Sequence, residues 1–232
     1  MDYTFFRIIQ NDPDIMSLAH RYKTLRLQGL QQSPSAFSST HEIESQFSDG
    51  FWASRLQAKG RETFICATQS GDWVVQVTLR GPLSVEDYRL PPAAGQPDVL
   101  PSDIEEKWQM LSLYTLPDYR GKSLGKRLCR AAFAYLVSLE RAQSKVRVRI
   151  MVKPENTATL HLYKSLGFED AGRCTLEEAL RANGDSELLP HGDLPEKYTT
   201  RTGLIMDLSL NREPLSSVEG SYSPVSSKKV CS

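Results

Sequence analysis

The spacing of apolar positions changes several times along the chain, and each change predicts an element. Tyr3 to Ile9 is dense in aromatic and β-branched residues and stops at Asn11, Asp12 and Pro13, which predicts a first strand. Asp14 can then cap a helix on which Ile15, Leu18, Ala19, Tyr22 and Leu25 recur at helical spacing. Ser33 to Thr40 (SPSAFSST) reads as a loop, and His41 to Ala58 as a second helix with Trp52 and Leu56 on one face. Thr63–Thr68 and Trp73–Leu79, joined by Gln69 to Asp72, predict a hairpin. Gly81 to Ser102 is interrupted by proline and glycine too often for a buried element and reads as an exposed insertion. Lys107 to Leu116 is the next strand, ending at Pro117.

Leu124, Leu128, Ala132, Tyr135 or Leu136, and Leu139 then mark one face of a helix. KVRVRIMV (Lys145–Val152) alternates as a strand does, with Val146, Val148, Ile150 and Val152 on one side. Asn156 to Leu166 is a short helix closed by Gly167, and Arg201 to Leu210 a last strand. From Asn211 the chain becomes polar and serine-rich, which predicts one domain over 1–210 and a disordered tail over 211–232. Strands interleaved with helices argue for a mixed α/β sheet.

Composition removes whole classes of function. Lysine plus arginine and aspartate plus glutamate balance at 28 each, so any anion site must be local and nothing draws the chain to nucleic acid or an anionic membrane. The alternating Lys145, Arg147 and Arg149 are most simply the wet side of a strand. Four scattered cysteines form no CxxC pair, which argues against a metal site or disulfide framework and for a reducing compartment. With no signal peptide and no long apolar run, the expectation is a cytoplasmic protein, the nucleus left open.

One stretch combines flexibility with charge. Tyr119 to Leu128 (YRGKSLGKRL) sits where a strand, stopped by Pro117, turns into a helix. The first turn of a helix leaves amides unpaired and carries partial positive charge, so it can hold a phosphate. Gly121 and Gly125 remove side chains that would block approach, and Arg120, Lys122 and Lys126 add positive charge. The alternative is a plain turn with solvated lysines. A P-loop is excluded because its first glycine would fall on Leu116, and a dinucleotide fingerprint because no GxGxxG opens the first βα unit. Asn156 and Tyr163 lie seven apart, so they share one side of the later helix. Tyr163 could donate a proton into a cleft or simply pack in the core, and Asn156 could serve only as a cap.

Together, YTLPDYRGKSLGKRL and MVKPENTATLHLYKSLGF resemble the two signatures of the GNAT superfamily of acetyl-CoA-dependent N-acetyltransferases. Thr115-Leu116-Pro117 and Arg120 to Gly125 fill the first, and Asn156, Leu162, Tyr163, Gly167 and Phe168 the second. Ser123 stands where the first glycine is usual, and Thr159 where alanine is; Ser123 is tolerable if its φ stays negative. The resemblance implies a mixed sheet splayed at the strand before the corner, with helices on both faces. It implies that Leu113, Tyr114 and Thr115 line the pantetheine arm and that the Leu113 amide polarises the thioester. Arg120, Gly121, Lys122, Ser123, Leu124, Gly125 and Lys126 would take the diphosphate, Asn156 would contact the cofactor, and Tyr163 would protonate the leaving thiolate.

The same resemblance implies acetyl-CoA as co-substrate, no metal, and an amine acceptor, small molecule or peptide, in a monomer or homodimer. The base would be a carboxylate on or before the strand, which names Glu105 and Glu106, with Asp103 and Asp118 nearby. Acceptor choice would rest on Leu25–Thr40, the 81–102 insertion, and the acid-rich Glu177–Tyr198. The competing reading is an acyl-CoA-binding regulatory module without turnover.

Overall fold

The computed structural model describes residues 2–212. In chain order the elements are β1 (Tyr3–Arg7), α1 (Ile15–Gln32), α2 (His41–Glu44), α3 (Asp49–Gln57), β2 (Arg61–Thr68), β3 (Trp73–Leu83) and α4 (Val85–Tyr88). Then follow β4 (Glu105–Thr115), α5 (Leu124–Ser138), β5 (Lys145–Val152), α6 (Thr157–Ser165), β6 (Glu169–Cys174), α7 (Leu176–Asn183), α8 (Glu196–Thr199) and β7 (Gly203–Asn211). The strands form one seven-stranded mixed sheet in the order β1-β2-β3-β4-β5-β7-β6.

Among the described strands only β4 and β5 pair in parallel, because α5 carries the chain back across the sheet between them. Their ladder holds for five pairs, Glu105↔Lys145 to Gln109↔Arg149, and then stops. Met110 to Thr115 continue along β3 without a partner on the β5 side. The strands therefore splay, and β4 bulges there: Ser112 has φ 57, and the β3 register slips between Gln76 and Thr78.

Alternation assigns the two faces. Phe64, Val77, Trp108, Met110, Val146, Val148 and Ile150 join Leu128, Cys129, Ala132 and Leu136 of α5 in the main core. Several fully buried Leu-sized side chains, each worth roughly 1.5–3 kcal/mol on burial, hold α5 in place. The opposite face carries Gln76, Thr78, Arg80, Gln109, Arg149 and Asp207, and lies under α1, α3, α7 and the strap after β3.

Four expectations change. The second helix breaks in two after Glu44, because Ser48 caps α3 through the Phe51 amide and Glu44 turns inward to a bidentate pair with Arg26. The 81–102 segment is not exposed throughout: β3 runs on to Leu83, and Tyr88 and Ala94 are buried. Tyr88 covers Arg149 at 4.0 Å from its ring and donates to Asp207, so the strap shields charges that the sheet face would otherwise leave wet. Strand β6 and helix α7 lie between the helix closed by Gly167 and the last strand, where no element was expected. Helix α7 opens on a capping box between Thr175 and Glu178, and Gly172 in β6 admits the Ala94 carbonyl where a Cβ would stand 2.2 Å away. Finally, β7 includes Asn211, and buried Arg212 donates to Leu136 O, Gln143 O and Glu106, so the folded chain passes the boundary expected at 211. The rest of the predicted tail lies outside the described residues.

Candidate active site

After Thr115 the chain is pinned by the Leu116 amide to Val74 O (3.0 Å) and makes a short turn at Pro117–Tyr119. Gly121 (φ 74) and Ser123 (φ 56) are both left-handed, so two reversals with Lys122 between them redirect the chain into α5. The left-handed Ser123 corrects the expectation that its φ would be negative, and the conformation costs a non-glycine residue roughly 1–2 kcal/mol. No side chain caps the 15-residue helix that follows, and no acid lies in its first turn. The space beside Gly121 is open. A Cβ on Gly125 would stand 3.2 Å from Thr115 Oγ1, 3.7 Å from a Leu162 methyl and 4.0 Å from a Leu113 methyl. Gly125 thus marks where the end of β4, the start of α5 and helix α6 converge.

The rim cations are engaged. Arg120 donates from Nε to Thr115 O (3.1 Å) and from Nη2 to Ser33 Oγ (2.9 Å). Lys122 donates to Asp118 O (3.1 Å) and lies 5.0 Å from the Tyr119 ring centre. Leu124 is buried and Lys126 half-buried. Tyr114 points its ring at Phe37 (5.1 Å between centroids) and shares a hydrogen bond with Ser33 Oγ, so its side chain belongs to the α1 interface and only its backbone can face the splay.

Lys153, which sequence reasoning passed over, donates to Ser35 O (3.0 Å) and Phe37 O (2.8 Å). With Arg120 it fastens the Ser33–Phe37 loop near the free ends of β4 and β5. The only hint in the sequence was a lysine directly after a strand and before Pro154.

On α6, Asn156 is the cap, accepting from the Thr159 amide at 3.4 Å. Tyr163 is buried against Phe168 (5.4 Å) and close to Cys129, and its phenol makes no hydrogen bond among the described residues. Burial pushes that phenol far above its ordinary pKa, with Cys129 adding to the shift, so it stays protonated across the working range. Burial likewise pushes the Cys129 thiol up to about 12, which leaves it unreactive and fits helix packing.

Glu105 and Glu106 do not stand at the site. They begin β4, roughly 20–30 Å of strand away from Leu113 and Thr115. Both are buried; Glu105 pairs with Arg147 (3.0 Å), and Glu106 pairs with Arg212 (2.7 Å) and accepts from Trp108 Nε1. They are structural counter-charges. The acids of Glu177–Tyr198 are also partly spent, Glu177 on Arg181 and Glu178 on Arg201. Among the described residues no cluster of three His, Cys, Asp or Glu could hold a metal ion, and no helix is long and apolar enough to cross a membrane.

Residues 93–170 match the family model described as the acetyltransferase (GNAT) domain, a span running from the strap through β4, the corner, α5, β5 and α6. This stretch, about a third of the chain, is similar to the GNAT acetyltransferase domain. Solved structures agree on the fold around it. A GNAT-family acetyltransferase from Streptococcus pneumoniae aligns at TM-score 0.55 and 13% identity over 90% of this chain and 100% of that one. A GNAT phosphinothricin acetyltransferase from Sinorhizobium meliloti, solved with AcCoA, aligns at 0.53 and 17% over 96% of both chains. Spermidine N-acetyltransferase from Vibrio cholerae, solved with CoA and spermine, aligns at 0.51 and 12% over 89% and 95%. Identities this low establish the GNAT architecture, not an acceptor. No curated protein matches the sequence.

Proposed function

We propose that this GNAT domain is an N-acetyltransferase that moves the acetyl group of acetyl-CoA to a primary amine in a ternary complex. The observation that carries this is the junction at Gly125, where a splayed strand end, an uncapped helix start and α6 meet within van der Waals reach. Acetyl-CoA, when bound, supplies a thioester: the amine nitrogen bonds to the acyl carbon, the C–S bond breaks, and the proton that the nitrogen loses reaches the departing sulfur through water, so that CoA leaves as a thiol.

The chain's own groups would do the rest. Free amides from Gly121 to Lys126 bind the diphosphate without needing Arg120 or Lys122 to let go of their present partners. The unladdered edge of β4 at Leu113 and Thr115 orients the pantetheine arm, and the Leu113 N–H is the fixed dipole for the developing oxyanion. Tyr163 keeps a proton for the departing sulfur. Because its phenol holds that proton so firmly, it acts by donating a hydrogen bond that strengthens as charge builds on sulfur. Asn156, already the cap of α6 through its oxygen, would keep its amide N–H groups for the cofactor. The amine class is common to the spermidine acetyltransferase and to the ribosomal-protein-S18-alanine N-acetyltransferase of Escherichia coli, another structural neighbour.

Purified protein given acetyl-CoA and a panel of polyamines, amino acids and short peptides should release free thiol with at least one of them. One observation favours the competing regulatory reading: Ser123 carries strain where glycine would carry none. Cofactor binding with no thiol release for any amine would establish that reading.

A further inference from the structure

Gln76 is out of keeping with its surroundings. It lies mid-strand in β3 with 1% of its surface exposed, opposite Tyr114 on the polar face of the sheet. Its Nε2 donates to Ser112 O at 3.5 Å, which sets the carboxamide against the bulge of β4. Its Oε1 has no partner among the described residues, although the atom is fully buried. Leaving a buried carbonyl oxygen unpaired is costly, and such an atom calls for a reason. Its neighbours on the same face solve the problem differently: Thr78 shares a hydrogen bond with Thr63, and Gln109 uses both ends of its carboxamide, on Asn183 and Arg149. Of the three, Gln76 alone keeps a free acceptor, and it lies opposite Tyr114, in the stretch of β4 that has already parted from β5.

Resting on the proposed acetyl transfer, we infer that Gln76 Oε1 receives an N–H of the acceptor amine and sets its nitrogen against the acyl carbon. The long bond to Ser112 O and the burial of the side chain orient the carboxamide, with its nitrogen toward the β4 bulge. An amide oxygen is too weak a base to take the proton, so its part is to bind and aim the nitrogen, with the proton passing to water. The acceptor therefore enters on the α1 face, beneath the Ser33–Phe37 loop that Lys153 and Arg120 fasten. Strand β3 contributes a residue to the acceptor side, where the sequence had pointed to Leu25–Thr40, the 81–102 insertion and Glu177–Tyr198.

The test compares Gln76→Leu and Gln76→Glu with the natural protein in the thiol-release assay, using whichever amine the panel identifies and varying amine and acetyl-CoA separately. Loss of one neutral hydrogen bond should raise the amine KM or lower kcat by about five- to tenfold, with the acetyl-CoA KM and the CoA-induced rise in melting temperature unchanged. Gln76→Glu places a titratable oxygen at the same point and should add an ionisation to the pH profile of kcat/KM that the natural protein lacks. A Gln76→Leu protein with amine KM and kcat within twofold of the natural values overturns the assignment. So does a loss that falls equally on acetyl-CoA, which marks a structural role. A natural protein that binds CoA yet acetylates no amine overturns this inference together with the reading it rests on, and the two failures are distinguishable.

Discussion

The two ends of β4 put charge to opposite uses. At its start Glu105, Glu106 and Lys107 are buried, and each is matched: Arg147 with Glu105, Arg212 with Glu106, and the Lys107 ammonium on Glu105 O. At its far end Arg120 and Lys122 are exposed and hold only neutral oxygens, and helix α5 has no acidic residue in its first turn. One end has spent its charge on holding strands together, while the other keeps positive potential uncommitted. Acidic residues near a suspected site are thus a poor guide to a general base until their partners are known.

Breaking the structural end should have the largest effect. Arg212→Ala strands the buried Glu106 carboxylate and should cost about 3–5 kcal/mol in urea unfolding. If it costs under about 1 kcal/mol, Arg212 lies outside the cooperative fold and the matched-charge picture fails.

Next is the pH dependence at the same layer. Burial raises Asp207 from 3.8 to about 6 despite Arg147 and Arg149 beside it. The folded state then binds this proton more tightly than the unfolded chain. The contribution is therefore full below about pH 3.8, is lost as pH rises to about 6, and is flat above, amounting to roughly 2–3 kcal/mol. Asp207→Asn should flatten that part of the stability curve; an unchanged slope between pH 4 and 6 would mean that Asp207 does not titrate there.

At the other end, Tyr163→Phe should cut kcat by about 100-fold while leaving CoA affinity intact. Unchanged turnover removes the role of its hydrogen bond to the departing sulfur. The smallest expected effect is a gain: Ser123→Gly relieves a left-handed residue and should add roughly 1 kcal/mol of stability and tighten CoA binding. A loss on both counts would show that the serine hydroxyl matters more than the strain.

Periodicity made most of the fold legible. Lys145–Val152 alternates cleanly and is β5 to the residue, and the Leu124, Leu128, Ala132 stripe is the buried face of α5. What stayed hidden depends on contacts distant in sequence. Strand β6 (EDAGRC) has almost no apolar alternation and exists because β7 pairs with it and Gly172 admits the strap. The strap looked exposed because its prolines and glycines speak only of local structure, while Tyr88 is buried by an arginine some sixty residues away. At the site, the corner and α6 were legible as motifs. The left-handed Ser123, the Lys153 link and the free oxygen of Gln76 were not, since each is a property of geometry rather than of residue type.

The central claim is that backbone amides between Gly121 and Lys126 grip the diphosphate of CoA. Amide hydrogen exchange, with and without saturating CoA, tests it residue by residue. Slowed exchange should concentrate at Gly121–Arg127, with little change at Glu105–Lys107. CoA binding that leaves Gly121–Arg127 exchanging as fast as before, or that protects another surface instead, would contradict it.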